Sequence, residues 1–149
     1  MTSAPRLDEL VCFAIYSAAN ATSQAYRQVL EPWQLTYTQY LGLLLLGQRD
    51  HTVGELGQAL GLDSGTVSPL LARLEARGLV RRERRDRDER VVTATLTASG
   101  RGTLDEVLAA VGCLAPAFVG ASTDLPELMR QLHALTQNMR RLTADLRSA

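Results

Sequence analysis

Apolar residues recur with helical spacing at both ends of the chain, and between them lie two shorter helical patterns and an alternating stretch. Leu7, Leu10, Val11, Ala14, Ile15, Ala18, Ala25 and Val29 share one stripe of a helix predicted over 7–30. Pro32 ends it, because its ring removes a backbone donor. Thr36 with Gln39 three residues on forms a capping box ahead of Tyr40 to Leu46, and 47–50 reads as loop. Thr52 with Glu55 repeats that signature before Val53, Leu56, Ala59 and Leu60, and Gly61 stops this short helix. Asp63 or Ser64 caps the next, in which Val67, Leu70, Leu71 and Leu74 face inward and Gly78 closes the end. Residues 79–83 and 91–96 then flank a charged turn, which predicts a hairpin.

The last third returns to helix. Leu104, Val107, Leu108, Val111 and Leu114 form one stripe, which Pro116 ends or kinks. Asp124 with Glu127 caps a final helix whose Leu125, Leu128, Leu132, Leu135, Met139, Leu142 and Leu146 recur at alternating threes and fours. That period makes a coiled-coil-like seam. One small domain has no use for such a seam beside a long apolar helix at its start, so the two ends are expected to pack together and form a homodimer. The predicted class is mainly α with a small β-hairpin wing, a winged helix-turn-helix. It is read as a single domain over 1–149, with a DNA-binding unit at 36–98 and dimerisation helices at 7–30 and 101–147.

Charge changes the picture only once it is located. The 149-residue chain has a formal net charge of zero, which by itself argues against a nucleic-acid partner. Yet Arg77 to Arg90 holds seven arginines against four acids, while the rest carries nine against twelve. The positive charge is thus focused on the hairpin, where it can meet phosphate. The unbroken apolar run 40–46 is too short to cross a bilayer. The start is polar and acidic rather than basic then apolar, so no signal peptide and a cytoplasmic location are expected.

Two short helices joined by Gly61-Leu62-Asp63 and followed by a basic hairpin make a helix-turn-helix with a wing. Ser64, Gly65, Thr66, Ser68 and Pro69 open the second helix with small and hydroxyl-bearing groups that can approach bases and phosphates, and its dipole favours the latter. Arg73 and Arg77 continue the exposed face. Arg84, Arg85, Arg87 and Arg90 of the hairpin tip can reach a minor groove, with the acids among them orienting the arginines by salt bridging. The partner these features require is double-stranded operator DNA, pseudo-palindromic to match a dimer.

Val53-Gly-Glu-Leu-Gly-Gln-Ala-Leu, Leu62-Asp-Ser-Gly-Thr-Val-Ser-Pro-Leu-Leu-Ala-Arg-Leu-Glu, Gly78-Leu-Val-Arg-Arg and Asp88-Glu-Arg resemble the MarR family of bacterial repressors over nearly the whole chain. The resemblance implies recognition helices in successive major grooves and wings in the flanking minor grooves. It also implies that Arg90 contacts DNA while Asp88 holds it. Leu10-Val-Cys-Phe-Ala-Ile-Tyr-Ser-Ala, Ala25-Tyr-Arg and Leu35-Thr-Tyr-Thr-Gln-Tyr-Leu resemble the OhrR branch, which senses organic hydroperoxides.

Taken alone, Cys12 reads as a small buried hydrophobe, as most free cysteines are. The branch resemblance makes it the reactive thiol, with Tyr16, Tyr26 and Tyr37 as hydroxyl-bearing neighbours and an organic hydroperoxide as effector. Tyr16 lies one turn from Cys12 on the same face. Tyr26 is fourteen residues on, roughly 21 Å along a helix. That exceeds the reach of both side chains, so the two meet only if a second copy runs past in the opposite direction. Cys113 is either a resolving cysteine or a structural one, and a low-molecular-weight thiol is the other candidate for trapping the oxidised sulfur. The two histidines, His51 in a loop and His133 on a helix, lack metal-ligand company, so neither metal nor other cofactor is expected. No enzymatic activity is expected, since the DNA-reading unit fills the centre of the chain. The competing reading keeps the repressor but has a small aromatic or phenolic ligand release it, with Cys12 inert.

Overall fold

The structure, a computed structural model, describes residues 5–84, 91–121 and 124–148. The chain divides into two compact units, Met1–Val111 and Gly112–Ala149. In the first, a 3-10 turn at Leu7–Glu9 leads into α1 (Val11–Leu30), then α2 (Tyr37–Gln48), β1 (His51–Thr52), α3 (Val53–Leu60), α4 (Ser64–Ala76), β2 (Val80–Arg84), β3 (Val92–Leu96) and α5 (Ala98–Val111). The second holds a 3-10 turn at Gly112–Leu114, α6 (Ala115–Ala121) and α7 (Leu125–Ser148).

Helices α2, α3 and α4 each begin where a side chain supplies a cap. Thr36 Oγ1 accepts the Gln39 N–H at 3.2 Å and Gln39 Oε1 accepts the Thr36 N–H at 3.0 Å. Thr52 and Glu55 do the same for α3, at 3.1 and 2.7 Å. Of the two candidates for α4, Asp63 is the cap, its Oδ1 accepting the Thr66 N–H at 2.8 Å. Gly61 and Gly78 take the left-handed conformation, φ 69° and 70°, that ends α3 and follows α4.

α3 packs on α4, and Gly57 makes the turn between them tight, since a Cβ there would sit 2.7 Å from the Leu62 carbonyl oxygen. The predicted hairpin forms in the register Val80↔Leu96, Arg82↔Ala94, Arg84↔Val92. The sheet has a third strand that the pattern did not reveal. Two residues, His51 and Thr52, pair antiparallel with Ala94 and Thr93 to give the order β1-β3-β2. His51 is therefore a buried strand residue rather than part of a loop. Two residues are too few to show a period of two.

The core gathers Leu30, Leu43, Leu46, Leu56, Val67, Leu71, Leu74, Val80, Ala94, Leu104 and Val107. Val67, Leu70, Leu71 and Leu74 all face inward as the pattern of α4 requires. α1 differs from its expectation in where it begins. It starts at Val11, after the separate 3-10 turn, and of its twenty residues only Leu30 is buried. The α5 stripe breaks at Gly112, ahead of Pro116, which sits in the first turn of α6, where a missing N–H costs nothing. The helical run Ala98–Gly120 is longer than 40–46 and, by length and composition alone, could cross a membrane. Its Gly100, Leu104 and Val107 are buried in the winged-helix core.

Candidate nucleic-acid interface and thiol site

α4 presents Ser64, Gly65, Thr66, Ser68, Pro69 and Arg73 to solvent along one exposed face, opposite its four buried residues. Pro69 lacks the N–H that would bond the Gly65 carbonyl, so an acceptor is left open on that face near the helix start. Thr66 is partly committed, because its hydroxyl donates to Asp63 Oδ1 at 3.1 Å. Its oxygen lone pairs stay free. A shallow groove of about 310 Å³ between α2 and α4 is bordered by Thr66, Pro69 and Arg73.

Arg77 does not continue this face as the sequence led one to expect. Its guanidinium turns back and donates to the carbonyl oxygens of Trp33 and Gln34, the latter at 3.1 Å. On the wing, Arg82 donates from its backbone N–H to Glu75 Oε1 at 2.9 Å and from Nε to Glu75 Oε2 at 2.8 Å. One carboxylate thus ties the outer edge of β2 to the recognition helix. The Arg82 hydrogen bonds and charge hold the Glu75 carboxyl below its ordinary range. Sequence reasoning missed this pair, although Glu75 and Arg82 both stand in the segments that carry the family resemblance. Arg81 pairs with Glu83 at 3.0 Å on the other face of β2, and Arg84 is exposed. Arg85, Arg87, Asp88 and Arg90 lie outside the described residues.

The thiol candidates separate into two groups. Cys12 and Tyr16 are exposed near the start of α1, and Cys12 and Cys113 are both free thiols. Cys113 stands exposed in the 3-10 turn of the second unit. Tyr26 and Tyr37 instead meet at the far end of α1, ring centroids 4.6 Å apart. Tyr40 joins them at 5.8 Å from Tyr26 and 6.3 Å from Tyr37. Its place on α2 one turn after Tyr37 could have shown it, but the apolar run around it made it read only as core. Burial first, and then the neighbouring phenols, push Tyr26 and Tyr40 above the ordinary value of 10.0, so their hydroxyls remain proton donors at neutral pH. α1 is unbroken from Val11 to Leu30, so Cys12 and Tyr26 of one chain stay roughly 21 Å apart along its axis.

An open groove of about 450 Å³ runs beside the tyrosines, with Asn20, Arg27 and Tyr37 on its walls. Trp33 is half-buried against the core, and its indole N–H donates to Glu106 Oε2 at 2.9 Å. His51 is 6% exposed, and neither ring nitrogen has a hydrogen-bond partner. Among the described residues no cluster of His, Cys, Asp and Glu is arranged to hold a metal ion.

Comparison with known proteins agrees with this fold. A family model described as the MarR family matches residues 35–92. The HTH-type transcriptional regulator TtmR of Methylorubrum extorquens is 44% identical over 141 residues, spanning 94% of this chain and 69% of that protein. The organic hydroperoxide resistance transcriptional regulator of Bacillus subtilis is 33% identical over 135 residues, 90% of this chain and 92% of that one. Among solved structures, reduced AbfR bound to DNA superposes with a TM-score of 0.77 at 32% identity, covering 93% of this chain and 94% of that one. AbfR, from Staphylococcus epidermidis, is also similar in a disulfide form, with a TM-score of 0.68 over 90% of this chain and 92% of that one, again at 32% identity.

Proposed function

The chain belongs to the MarR family of winged helix-turn-helix transcriptional regulators, and on that premise we propose that it is a cytoplasmic repressor released from its operator when an organic hydroperoxide oxidises Cys12. It is a DNA-binding regulator and not an enzyme. What carries the redox reading is the tyrosine cluster. Three phenols, two of them with raised pKa values, stand together at the end of the helix whose start exposes Cys12. A second copy running antiparallel brings its Cys12 to that cluster. The exposed Val11, Ile15 and Tyr16 of α1 and the exposed Leu132, Met139, Leu142 and Leu146 of α7 are apolar surface for a homodimer to cover. In this reading 7–30 and 101–147 form the dimer and 36–98 reads DNA, all within one functional domain.

The chemistry needs what those residues offer. The Cys12 thiolate attacks one peroxide oxygen, forming an S–O bond as the O–O bond breaks, and the alkoxide leaves as alcohol after taking a proton. Sulfur loses two electrons and the peroxide gains them. Phenolic O–H groups can hydrogen-bond the thiolate without adding charge, and their rings keep the site apolar enough for an organic peroxide. The thiol of Cys113 or of a small molecule then attacks the sulfenic sulfur, forming a disulfide as the S–O bond breaks and the oxygen leaves as water with the thiol's proton. A relative named for organic hydroperoxide resistance and a neighbour solved reduced, overoxidised and as a disulfide support the reading.

On DNA, Ser64, Gly65, Thr66, Ser68, Pro69 and Arg73 of α4 are assigned to a major groove. Arg84, with Arg85, Arg87, Asp88 and Arg90 of the tip, is assigned to the minor groove. Operator binding measured with and without one equivalent of cumene hydroperoxide tests the whole scheme. Without reductant the wild type should lose binding and, by intact mass, either gain one oxygen (sulfenic acid) or lose two hydrogens (a disulfide to Cys113), while Cys12→Ser should bind and ignore the peroxide. A Cys12→Ser protein released at the same dose would transfer the assignment to the aromatic-ligand repressor.

A further inference from the structure

The sequence made Arg77 a DNA contact, but its side chain is engaged elsewhere. It leaves the end of α4, just before Gly78 turns the chain into β2, and donates to the carbonyl oxygens of Trp33 and Gln34. Those carbonyls belong to the last residue of the 3-10 turn Glu31–Trp33 and the residue after it, where backbone acceptors face outward without helical partners and a cation is favoured. Gln34 is itself unusual, with φ 50°, the left-handed region that side-chain-bearing residues seldom occupy. A residue held there persists when its surroundings over-determine it. Arg77 is part of that hold, and the indole of Trp33, bonded to Glu106 on α5, is another.

This junction also sets the tyrosines. It joins α1, which ends four residues after Tyr26, to α2, which begins at Tyr37. A change in its backbone therefore alters the spacing of the rings now 4.6 Å apart. At its other end the same side chain hangs from the residue that ends α4, next to the Gly78 turn that leads into β2. Few side chains could report so directly from one to the other.

We propose that Arg77 is a positioning residue that couples the α1–α2 junction to the recognition helix, so that the arrangement of the tyrosine cluster and the set of α4 depend on one another. Coupling of this kind is reciprocal: DNA that fixes α4 must act on the junction, just as chemistry at the junction acts on DNA binding. In its redox half the proposal rests on the hydroperoxide reading above; its DNA half does not.

Trp33 is the only tryptophan in the chain and sits on the clamp, so its fluorescence reads the junction. Titrating the reduced dimer with operator DNA should shift Trp33 emission in the wild type. Arg77→Ala should abolish that shift while keeping the wild-type salt dependence of binding, and Arg77→Lys, which keeps the charge but not the planar fork that spans both carbonyls, should keep part of it. Under hydroperoxide, Arg77→Ala should lose about fivefold of the wild-type difference in affinity between reduced and oxidised protein. A phosphate contact would behave differently. Its removal lowers the salt slope by about one and leaves the Trp33 response intact. That result, or a wild-type Trp33 emission indifferent to operator, overturns the proposal. A wild type that responds through Trp33 but ignores hydroperoxide sinks the redox reading and leaves the coupling standing. If Arg77→Ala melts early, Arg77→Lys carries the same comparison.

Discussion

α4 and α7 are both amphipathic helices, yet they have opposite fates. In α4, thirteen residues long, Val67, Leu70, Leu71 and Leu74 are all buried. In α7, of 24 residues, none is, and Leu142 and Leu146 are 52% and 70% exposed. An apolar stripe tells that a face will be covered, not by what. The winged-helix unit covers its own faces with its own chain, caps its helices and closes its hairpin. The terminal helices carry a surface that the single chain leaves open, which a second copy is expected to close.

The largest effect should come from spoiling that open face. Replacing Leu132 and Leu135 with glutamate places charges on the seam and should turn a dimer into monomers by sedimentation. Operator affinity should then drop by about a hundredfold or more, because two half-sites no longer bind as one. A wild type that sediments as a monomer at micromolar concentration would break the comparison at its root.

The matching change inside the self-sufficient unit is Leu71→Ala. Leu71 is fully buried between helices, so the cavity should lower stability by about 2–5 kcal/mol in denaturant unfolding. The association state should stay the same. Gly100→Ala should also destabilise, since a Cβ there would lie 1.9 Å from the Leu79 carbonyl oxygen at the base of the wing.

Local signals made most of this fold legible. The caps at Thr36, Thr52 and Asp63, the inward face of α4 and the hairpin strands each depend on residues within a turn or two of one another. What stayed hidden depends on distance along the chain. β1 gains its meaning only from Ala94 and Thr93, some forty residues away. The Glu75–Arg82 bridge and the Arg77 clamp could not be told from solvated charges, because an arginine near a wing reads the same whether it faces DNA or backbone carbonyls. Tyr26 and Tyr37 were singled out by resemblance alone, and the third ring, Tyr40, was hidden in an apolar run. The exposure of Cys12 was unreadable for the same reason as that of α7: it depends on what covers the helix.

A smaller effect should separate the bridge from the core. Arg82 holds the Glu75 carboxyl below its ordinary 4.5, so the pair stabilises the folded state above that value and the contribution fades as pH falls through the depressed one. Glu75→Gln should therefore be less stable than wild type at neutral pH and converge with it in acid, by urea midpoints. It should also weaken operator binding at neutral pH, since the wing loses its fixed set against α4. A stability difference that stays constant from neutral to acid pH would assign Glu75 a packing role only.

The smallest change concerns the buried side-chain groups that, among the described residues, the winged-helix unit leaves unsatisfied. His51 sits opposite Ala94 in a two-residue strand, 6% exposed, with Nδ1 and Nε2 both lacking a partner, and the nearby Thr93 Oγ1 is likewise unpaired. Burying a polar group without a hydrogen bond forfeits the bonds it made to water, whereas an apolar side chain of similar size forfeits none. His51→Leu should thus keep the strand pairing, which uses only backbone, and raise stability by up to about 1 kcal/mol. For a chain of this length that is a rise of about 2–4 °C in Tm. His51→Asn, polar but smaller, should fall below wild type, because it keeps an unsatisfied group and adds a void. A His51→Leu protein that melts several degrees lower, with its dimer intact, would mean that the imidazole has a bonded partner in solution, and the contrast between a closed winged-helix core and open terminal helices would then hold without this exception.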